Sequence, residues 1–359
     1  MSNAKLKGIE LIRELSLAFG PTGCEDNVAD MIIERIKDEV GSLKRDLMGN
    51  VIATMSFGDA AKRKKLMVSA HMDEVGFMVN GIGEDGVIRF GNVGGIDPSV
   101  LAGRKVILGD ERPESRVGGV IASKAIHHKE KDERGKPVKV KDLYIDIGAK
   151  DREECEKYIS VGSFGVFDSE FVIFGKNGST VKSKALDDRM GCAAMIEMID
   201  SLCENPPAVD LEVYFCFTVR EEIGLSGAKT AANKLAPDFS IVLETTAVGD
   251  IADSPEARRV AKLGEGGTLS VMDRSTIYDK EFIAFALSVA KENSIPAQIK
   301  KYVSGGNDAG SIHKSGVGVR ALALSVPTRY LHSPACVASL DDYRSVKELT
   351  EAMIRNFSL

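Results

Sequence analysis

Apolar residues recur every three or four positions in two stretches near the N-terminus, residues 5–18 and 25–40. This spacing predicts two amphipathic helices, and the breaker sequence Gly20-Pro21-Thr22-Gly23 separates them. The same pattern predicts three further helices, near 191–203, over 280–292 and over 341–356. Helical elements therefore occupy both ends of the chain.

Short apolar runs between these helices predict strands. They lie at 43–47, 51–55, 66–70, 211–218, 240–244 and 321–326. Because strands and helices alternate after residue 174, the pattern is typical of an α/β fold. We predict a three-layer sandwich with a mixed, largely parallel sheet.

Between residues 76 and 173, short β-rich runs alternate with glycines and helical periodicity is weak. This pattern predicts a small β-barrel or sandwich. The simplest organisation is one domain formed by residues 1–75 and 174–359, interrupted by an inserted β domain at 76–173.

Length and composition are those of an ordinary globular protein. The 359 residues suggest about two domains, and no run of about 18 apolar residues is available to span a bilayer. The first residues lack the apolar segment of a secretory signal, so we expect a cytoplasmic protein without a membrane partner. The six cysteines show no C-x-x-C spacing, which argues against a cysteine zinc site.

A formal net charge of -6 disfavours nucleic acid as a partner, because binding to phosphates needs a basic surface. The run from 128 to 141 contains many lysines but mixes them with acidic residues. We interpret it as a solvated loop.

Polar residues with metal-ligand chemistry follow several predicted strands. In open α/β sheets, ligands bind beyond the carboxyl ends of the strands. Each residue taken alone is explained as a cap, a solvated acid or a loop histidine, but all fall at the same edge of the predicted sheet. The set is His71, Asp187, Glu222, Glu244 and His332.

Two histidines and three carboxylates, one of them bridging, suit a pair of divalent ions such as zinc or cobalt. Such a pair can clamp the attacking and the polarised oxygen in hydrolysis. His71 and Asp73, two apart on a strand, would point to the same side, so Asp73 would orient His71. By the same two-residue period, Glu221 and Glu222 would face opposite sides, so one would bind metal and the other would act as general base.

The motifs, in their order along the chain, resemble those of metallopeptidase family 42, which contains glutamyl, leucyl and lysyl aminopeptidases. The resemblance covers nearly the whole chain and is carried by seven segments. They are Ala18 to Gly23, His71-Met72-Asp73-Glu74-Val75-Gly76, Leu143 to Gly148, Lys184 to Arg189, Glu221-Glu222-Ile223-Gly224, Gly305 to Gly310 and Arg329 to Ser333.

The resemblance implies an aminopeptidase that removes N-terminal residues from peptides, with water activated between two metals. His71, Asp187 and Glu244 would hold one metal, and Asp187, Glu222 and His332 the other. Glu221 would be the general base and Asp73 the partner of His71. The family fold carries an inserted β domain that mediates dimerisation, and members form homo-oligomers, either dimers or dodecamers.

Three positions depart from the family pattern and leave alternatives open. Glu244 stands where the family usually has Asp, which keeps a dinuclear carboxypeptidase or N-deacylase as a rival. Asn307 replaces a Thr, and Ala335-Cys336 stand where an acidic residue often follows His-Ser-Pro. A glycoside hydrolase fits less well because its paired carboxylates work without metals. A purely structural site would normally use four protein ligands, often cysteines.

Overall fold

The structure is a computed structural model that describes residues 7–128, 130, 136–252 and 254–359. Residues 1–6, on which the prediction of no secretory signal partly rests, lie outside these ranges. Residues 129 and 131–135, which belong to the predicted loop at 128–141, also lie outside them. Within the described residues, none of the helices is both long and apolar enough to cross a bilayer.

A mixed sheet forms the centre of the described chain. Its strands are β1 Ser42–Arg45, β2 Val51–Phe57, β3 Lys64–His71, β10 Val172–Phe174, β11 Thr180–Ser183, β12 Leu211–Thr218, β13 Phe239–Ala247, β14 Gly267–Leu269, β15 Ala297–Ile299, β16 Arg320–Arg329 and β17 Cys336–Ser339. The main order is β1-β2-β12-β3-β13-β16-β17-β11-β10, and β14 and β15 continue from β16. The four central strands β12, β3, β13 and β16 are parallel to their neighbours in that group.

The second structural unit is a closed antiparallel barrel with strand order β4-β5-β8-β7-β6-β9. Its strands are β4 Gly76–Ile82, β5 Ile88–Val93, β6 Lys105–Gly109, β7 Val117–Ser123, β8 Leu143–Asp146 and β9 Phe164–Phe167. Phe77 packs edge-on against Phe90 and Phe167 at 5.4 and 5.0 Å between ring centroids. The barrel thus has its own apolar core.

The helices that pack around the sheet are α1 Ile9–Leu17, α2 Asp26–Ile36, α4 Leu186–Glu204, α5 Ser226–Leu235, α6 Lys280–Glu292 and α8 Leu340–Arg355, with the short helix α7 Ala309–Ile312. The short helix α3 Arg152–Cys155 belongs to the barrel segment, and its Cys155 lies in the barrel core. The buried face of α4 includes Met195, Ile196 and Ile199, which join the main core. The predicted α/β fold with a mixed sheet and an inserted β-barrel is confirmed. The assignment of 76–173 to a separate dimerisation domain stays a prediction.

Several predicted bounds were wrong, and three errors affect the site. β13 continues through Glu244 to Ala247, so Glu244 does not end its strand. β3 ends at His71, so Asp73 follows the strand and is not part of it. α4 begins at Leu186, before the predicted start, although Asp187 and Asp188 have non-helical backbone angles.

Candidate metal centre

His71 and Glu244 come from neighbouring parallel strands, β3 and β13. His71 is the last residue of β3, and Glu244 points out of β13 three residues before that strand ends. Their side chains meet with His71 Nε2 3.5 Å from Glu244 Oε1. Both are buried, with 2% and 7% of their surface exposed.

Asp187 lies in an irregular segment between β11 and the regular part of α4. Ala185 adopts a left-handed conformation with φ 50°, and Asp187 has φ −82° and ψ 107°, which is extended backbone. The peptide bond between Asp187 and Asp188 is cis. This segment places the Asp187 carboxylate beside the end of β3.

Glu221 and Glu222 lie in a turn after β12, where the two-residue period of a strand no longer applies. Arg220 has φ 58°, a left-handed conformation that ends the extended geometry. The prediction that the two glutamates face opposite sides was therefore wrong. Ligand atoms of His71, Glu221 and Glu222 all lie within 4.8 Å of one another.

His332 reaches the site from the loop after β16, with a left-handed backbone at φ 55°. Its Nδ1 lies 2.7 Å from the carbonyl oxygen of Gly95, a residue of the segment that forms the barrel. This contact turns Nε2 toward the carboxylates. The barrel segment therefore helps to orient a side chain of the centre.

The two oxygens of Asp187 face different histidines. Oδ1 lies 3.2 Å from His71 Nε2, and Oδ2 lies 3.4 Å from His332 Nε2. Glu222 Oε1 is 3.5 Å from the same nitrogen of His332. Two groups of ligand atoms result, His71 with Asp187 and Glu244, and Asp187 with Glu222 and His332, and each group fits within 4.8 Å.

Asp73 lies behind the centre, with its carboxylate wholly buried. His71 Nδ1 is 3.0 Å from the Asp73 carbonyl oxygen and 3.5 Å from Asp73 Oδ1. The carboxylate accepts hydrogen bonds from the backbone N–H groups of Glu221 and Glu222 at 3.0 and 3.1 Å, and from Thr22 Oγ1 at 2.8 Å. Asp73 therefore fixes the position of His71 relative to the two glutamates.

Burial and mutual charge shift the protonation of the centre. Burial is the largest effect on Glu222 and, with the neighbouring Asp187, raises its pKa to about 7. Burial also raises the pKa values of Glu221 and Glu244 well above the usual range of a glutamate. For His332, burial lowers the pKa, but Asp187 and Glu222 outweigh it and raise the pKa to about 10.

The donor set fits divalent ions. Asp187, Glu222 and Glu244 form their ion pairs, within the described chain, with the two histidines. Three buried carboxylates without a lysine or arginine partner in those pairs are costly unless a cation binds among them. Imidazole nitrogen with carboxylate oxygen suits zinc and cobalt.

Sequence reasoning missed several groups that support the centre. Thr22 was taken as part of a helix breaker, yet it donates to Asp73. Lys184 forms a buried 2.6 Å ion pair with Glu74, and Arg189 donates to the carbonyl oxygen of Met72 at 2.6 Å. All three residues lie in segments that carry the family resemblance, Ala18 to Gly23 and Lys184 to Arg189, but the sequence alone assigned them no part in supporting the centre.

Comparison with known proteins places these features in a family. Residues 49–349 match the sequence profile of the M42 glutamyl aminopeptidase family. A curated relative from Acetivibrio thermocellus is 39% identical over 345 residues, which are 96% of this chain and 98% of that protein.

Two solved structures share the whole architecture. A TET aminopeptidase from a marine sediment archaeon of the Thaumarchaeota superposes with a TM-score of 0.93 at 34% identity, covering 98% of this chain and 96% of that one. The TET1 peptidase of Pyrococcus horikoshii, described as assembling into a tetrahedron or a large octahedral shell, gives 0.85 at 33% identity and covers 97% of this chain and 99% of that one.

Proposed function

The chain belongs to the M42 glutamyl aminopeptidase family, and we propose that it is an aminopeptidase that depends on two divalent metal ions, zinc or cobalt. One observation carries the proposal. The two carboxylate oxygens of Asp187 face His71 and His332 separately, which is the arrangement that a bridging carboxylate needs. Membership of the family supports a peptidase, and the ligand geometry supports the metal pair.

The proposed ligands divide into two sets that share Asp187. His71 and Glu244 complete one set, and Glu222 and His332 complete the other. Metals bound there would polarise the scissile carbonyl group and lower the pKa of water from about 15.7 toward about 7. Asp73 would keep His71 in the orientation that directs Nε2 into the centre.

Glu221 is the proposed general base. Its backbone N–H donates to Asp73, and one of its carboxylate oxygens lies in the same cluster as the ligand atoms of His71 and Glu222. A carboxylate there accepts a proton from the attacking water and returns it to the leaving amine. The burial that raises the pKa of Glu221 strengthens it as a proton acceptor.

The free α-amine of the peptide is proposed to bind between Glu221 and Glu244. Both carboxylates lie beside His71, and both carry negative charge when the centre holds metals. An ammonium group is complementary to them. This would align the first peptide carbonyl of the substrate with the centre and give cleavage from the N-terminus.

A dinuclear carboxypeptidase or N-deacylase remains the second candidate because Glu244, in the set with His71, stands where the family usually has Asp. The deciding experiment is hydrolysis by metal-reconstituted protein of aminoacyl anilides, N-acetylated amino acids and peptides with a free C-terminus. The proposal requires cleavage of the free-amine anilides. Cleavage of only the N-blocked or C-terminal substrates would replace it with the rival.

Assembly into a homo-oligomer is proposed from the TET relatives, whose shells are built from chains of the same fold. We expect a solution mass that is a multiple of the 38.6 kDa chain, a dimer or a dodecamer. Sedimentation equilibrium tests this directly. A single species with the mass of one chain would contradict it.

A further inference from the structure

The turn that carries Glu221 and Glu222 is held by side chains from elsewhere in the chain. After β12, four successive backbone N–H groups, those of residues 219 to 222, have no partner in the sheet ladder. They donate instead to Asn50 Oδ1 at 3.1 Å, to Glu25 Oε1 at 3.2 Å, and to the two carboxylate oxygens of Asp73 at 3.0 and 3.1 Å. A buried N–H group needs a partner, so these acceptors determine where the turn can lie.

Glu25 accepts from the N–H group of Arg220 and, like Asn50, has no assigned part in the chemistry. It occupies the position just before α2, where a side chain would ordinarily accept from the first turn of its own helix, but it makes no such bond. Its Oε1 accepts instead from Gly23 N at 2.8 Å and from Arg220 N at 3.2 Å. Only 6% of its surface is exposed.

The backbone conformation of Arg220 sets the direction of the turn. Its φ of 58° is left-handed, which side chains other than glycine adopt rarely, so the conformation must be held by its surroundings. Glu25 fixes the N–H of Arg220, and Asp73 fixes those of Glu221 and Glu222. Without the Glu25 bond, the N–H group of the left-handed residue itself would lose its acceptor, although its neighbours on both sides would still be held by Asn50 and Asp73.

The segment that carries Glu25 is itself anchored to the centre. Arg189 donates to the carbonyl oxygens of Leu15 and Gly20 at 2.5 and 3.1 Å, and Lys184 donates to that of Ala18 at 2.9 Å. Thr22 N donates to the Glu74 carbonyl oxygen at 3.1 Å. These bonds make residues 18–25 a fixed support for the turn.

We infer that Glu25 is a positioning residue that places the Glu221 carboxylate for proton transfer by accepting the Arg220 N–H. The inference rests on the proposed function because it assigns Glu221 as the general base. What matters is an acceptor oxygen at the right reach, and the negative charge is not required. Glutamine, which has the same length and an amide oxygen, should therefore replace Glu25.

The experiment compares Glu25→Gln, Glu25→Asp and Glu25→Ala on the metal-loaded full chain with an aminoacyl anilide. We expect Glu25→Gln to retain kcat within about threefold. Both Glu25→Asp, whose oxygen is withdrawn by one methylene, and Glu25→Ala should lose about 10- to 100-fold in kcat, the scale of a misplacement near 1 Å. Metal content should change little, because the N–H group of the ligand Glu222 keeps its own bond to Asp73.

Asp342 supplies a matched control, because its carboxylate also accepts two backbone N–H groups, those of Gly264 and Gly266, at 2.7 Å each. Asp342→Ala should lower Tm without lowering kcat in the folded protein. If Glu25→Ala does not fold, the contrast between Asp and Gln at residue 25 decides the matter.

Two results would overturn the inference. One is kcat within about threefold of wild type in both Glu25→Asp and Glu25→Ala, or in Glu25→Asp alone if Glu25→Ala does not fold. The other is a loss in Glu25→Gln as large as, or larger than, that in Glu25→Asp, which would show that the position of the acceptor oxygen does not account for the effect. Wild-type protein and Glu221→Gln are assayed in parallel. A wild type without aminopeptidase activity would reject the proposed function, whereas failure confined to residue 25 would leave that function standing.

Discussion

Asp187 organises the centre at the scale of single residues, because it is the residue that the two proposed metal sets share. The extended backbone of Asp187 after the left-handed Ala185 directs the carboxylate between His71 and His332. A helical Asp187 would point elsewhere, since side chains on a helix tilt toward its N-terminus. The irregular start of α4 is therefore part of the proposed chemistry.

Adjacent glutamates provide a prediction with an internal control. Glu221→Gln should keep both metals and lose about 10²- to 10⁴-fold in kcat, because the amide cannot accept the proton of the water. Glu222→Gln should instead lower the metal content, because it removes a ligand beside His332. Inductively coupled plasma mass spectrometry and steady-state kinetics on the two variants separate the roles. Near-normal turnover in Glu221→Gln would remove it as the base.

Protonation of the metal-free centre leads to a second residue-scale prediction. The pKa of His332 is raised to about 10 and that of His71 lies well above its usual value, so both imidazoles hold protons at pH 7. A metal can bind the ring nitrogens only after displacing those protons, so affinity should rise with pH up to about 10. Calorimetric titration with zinc at pH 7 in buffers of different ionisation enthalpy should show release of at least two protons per chain, one from each imidazole and more from Glu222 and Glu244, whose pKa values are also raised. Binding without proton release would exclude the histidines as ligands.

The clustering of the five proposed ligands was predictable, because ligands of open α/β sheets bind beyond the carboxyl ends of the strands, and the five side chains do lie together. Local conformations were not predictable. The left-handed Arg220 places Glu221 and Glu222 on one cluster, although strand periodicity separates them. That turn depends on Glu25, Asn50 and Asp73, which are distant in sequence, so no window around residue 220 contains the information.

At the scale of elements, four parallel strands carry the centre. β3, β12 and β13 bring His71, the glutamate turn and Glu244 to one edge, and β16 leads into the loop of His332. α6 was predicted with its observed bounds, 280–292, whereas the ten-residue helix α5 was missed. The short strands β14, β15 and β17 were missed, because three or four residues carry too little pattern and their pairing comes from distant partners.

The side chain of Arg189 on α4 hydrogen-bonds that helix to the N-terminal segment and to the end of β3. The contribution of these hydrogen bonds to the stability of the fold can be measured. Arg189 is fully buried and donates to the carbonyl oxygens of Leu15, Gly20 and Met72. Arg189→Lys leaves at least one buried acceptor without a donor, so the free energy of unfolding should fall by about 2–5 kcal/mol. Urea denaturation gives the value.

Arg63 is the matched control for this substitution, since it also donates to two carbonyl oxygens, of Phe57 and Gly58, but near the surface. There water can replace the lost bonds, and Arg63→Lys should cost less than about 1 kcal/mol. Equal losses of unfolding free energy in the two variants would show that burial does not make the hydrogen bonds of Arg189 more stabilising than those of Arg63.

At the scale of the whole molecule, the sheet and the barrel segment both contribute to the centre. The barrel has its own apolar core, yet Gly95 from its segment holds His332 at 2.7 Å. The fold class was accessible from sequence because alternation of helices and strands stops at residue 76 and resumes after 174. The contact of Gly95 with His332 joins residues 237 positions apart and has no sequence signature.

One chain is proposed to hold two catalytic metal ions around Asp187. This proposal is tested most directly by titrating metal-stripped protein with zinc or cobalt while following both bound metal and hydrolysis of an aminoacyl anilide. We expect two ions per chain, activity that reaches its maximum only when both sites are filled, and loss of both ions in Asp187→Ala. Full activity with one ion or none, or two ions retained without the Asp187 carboxylate, would contradict it.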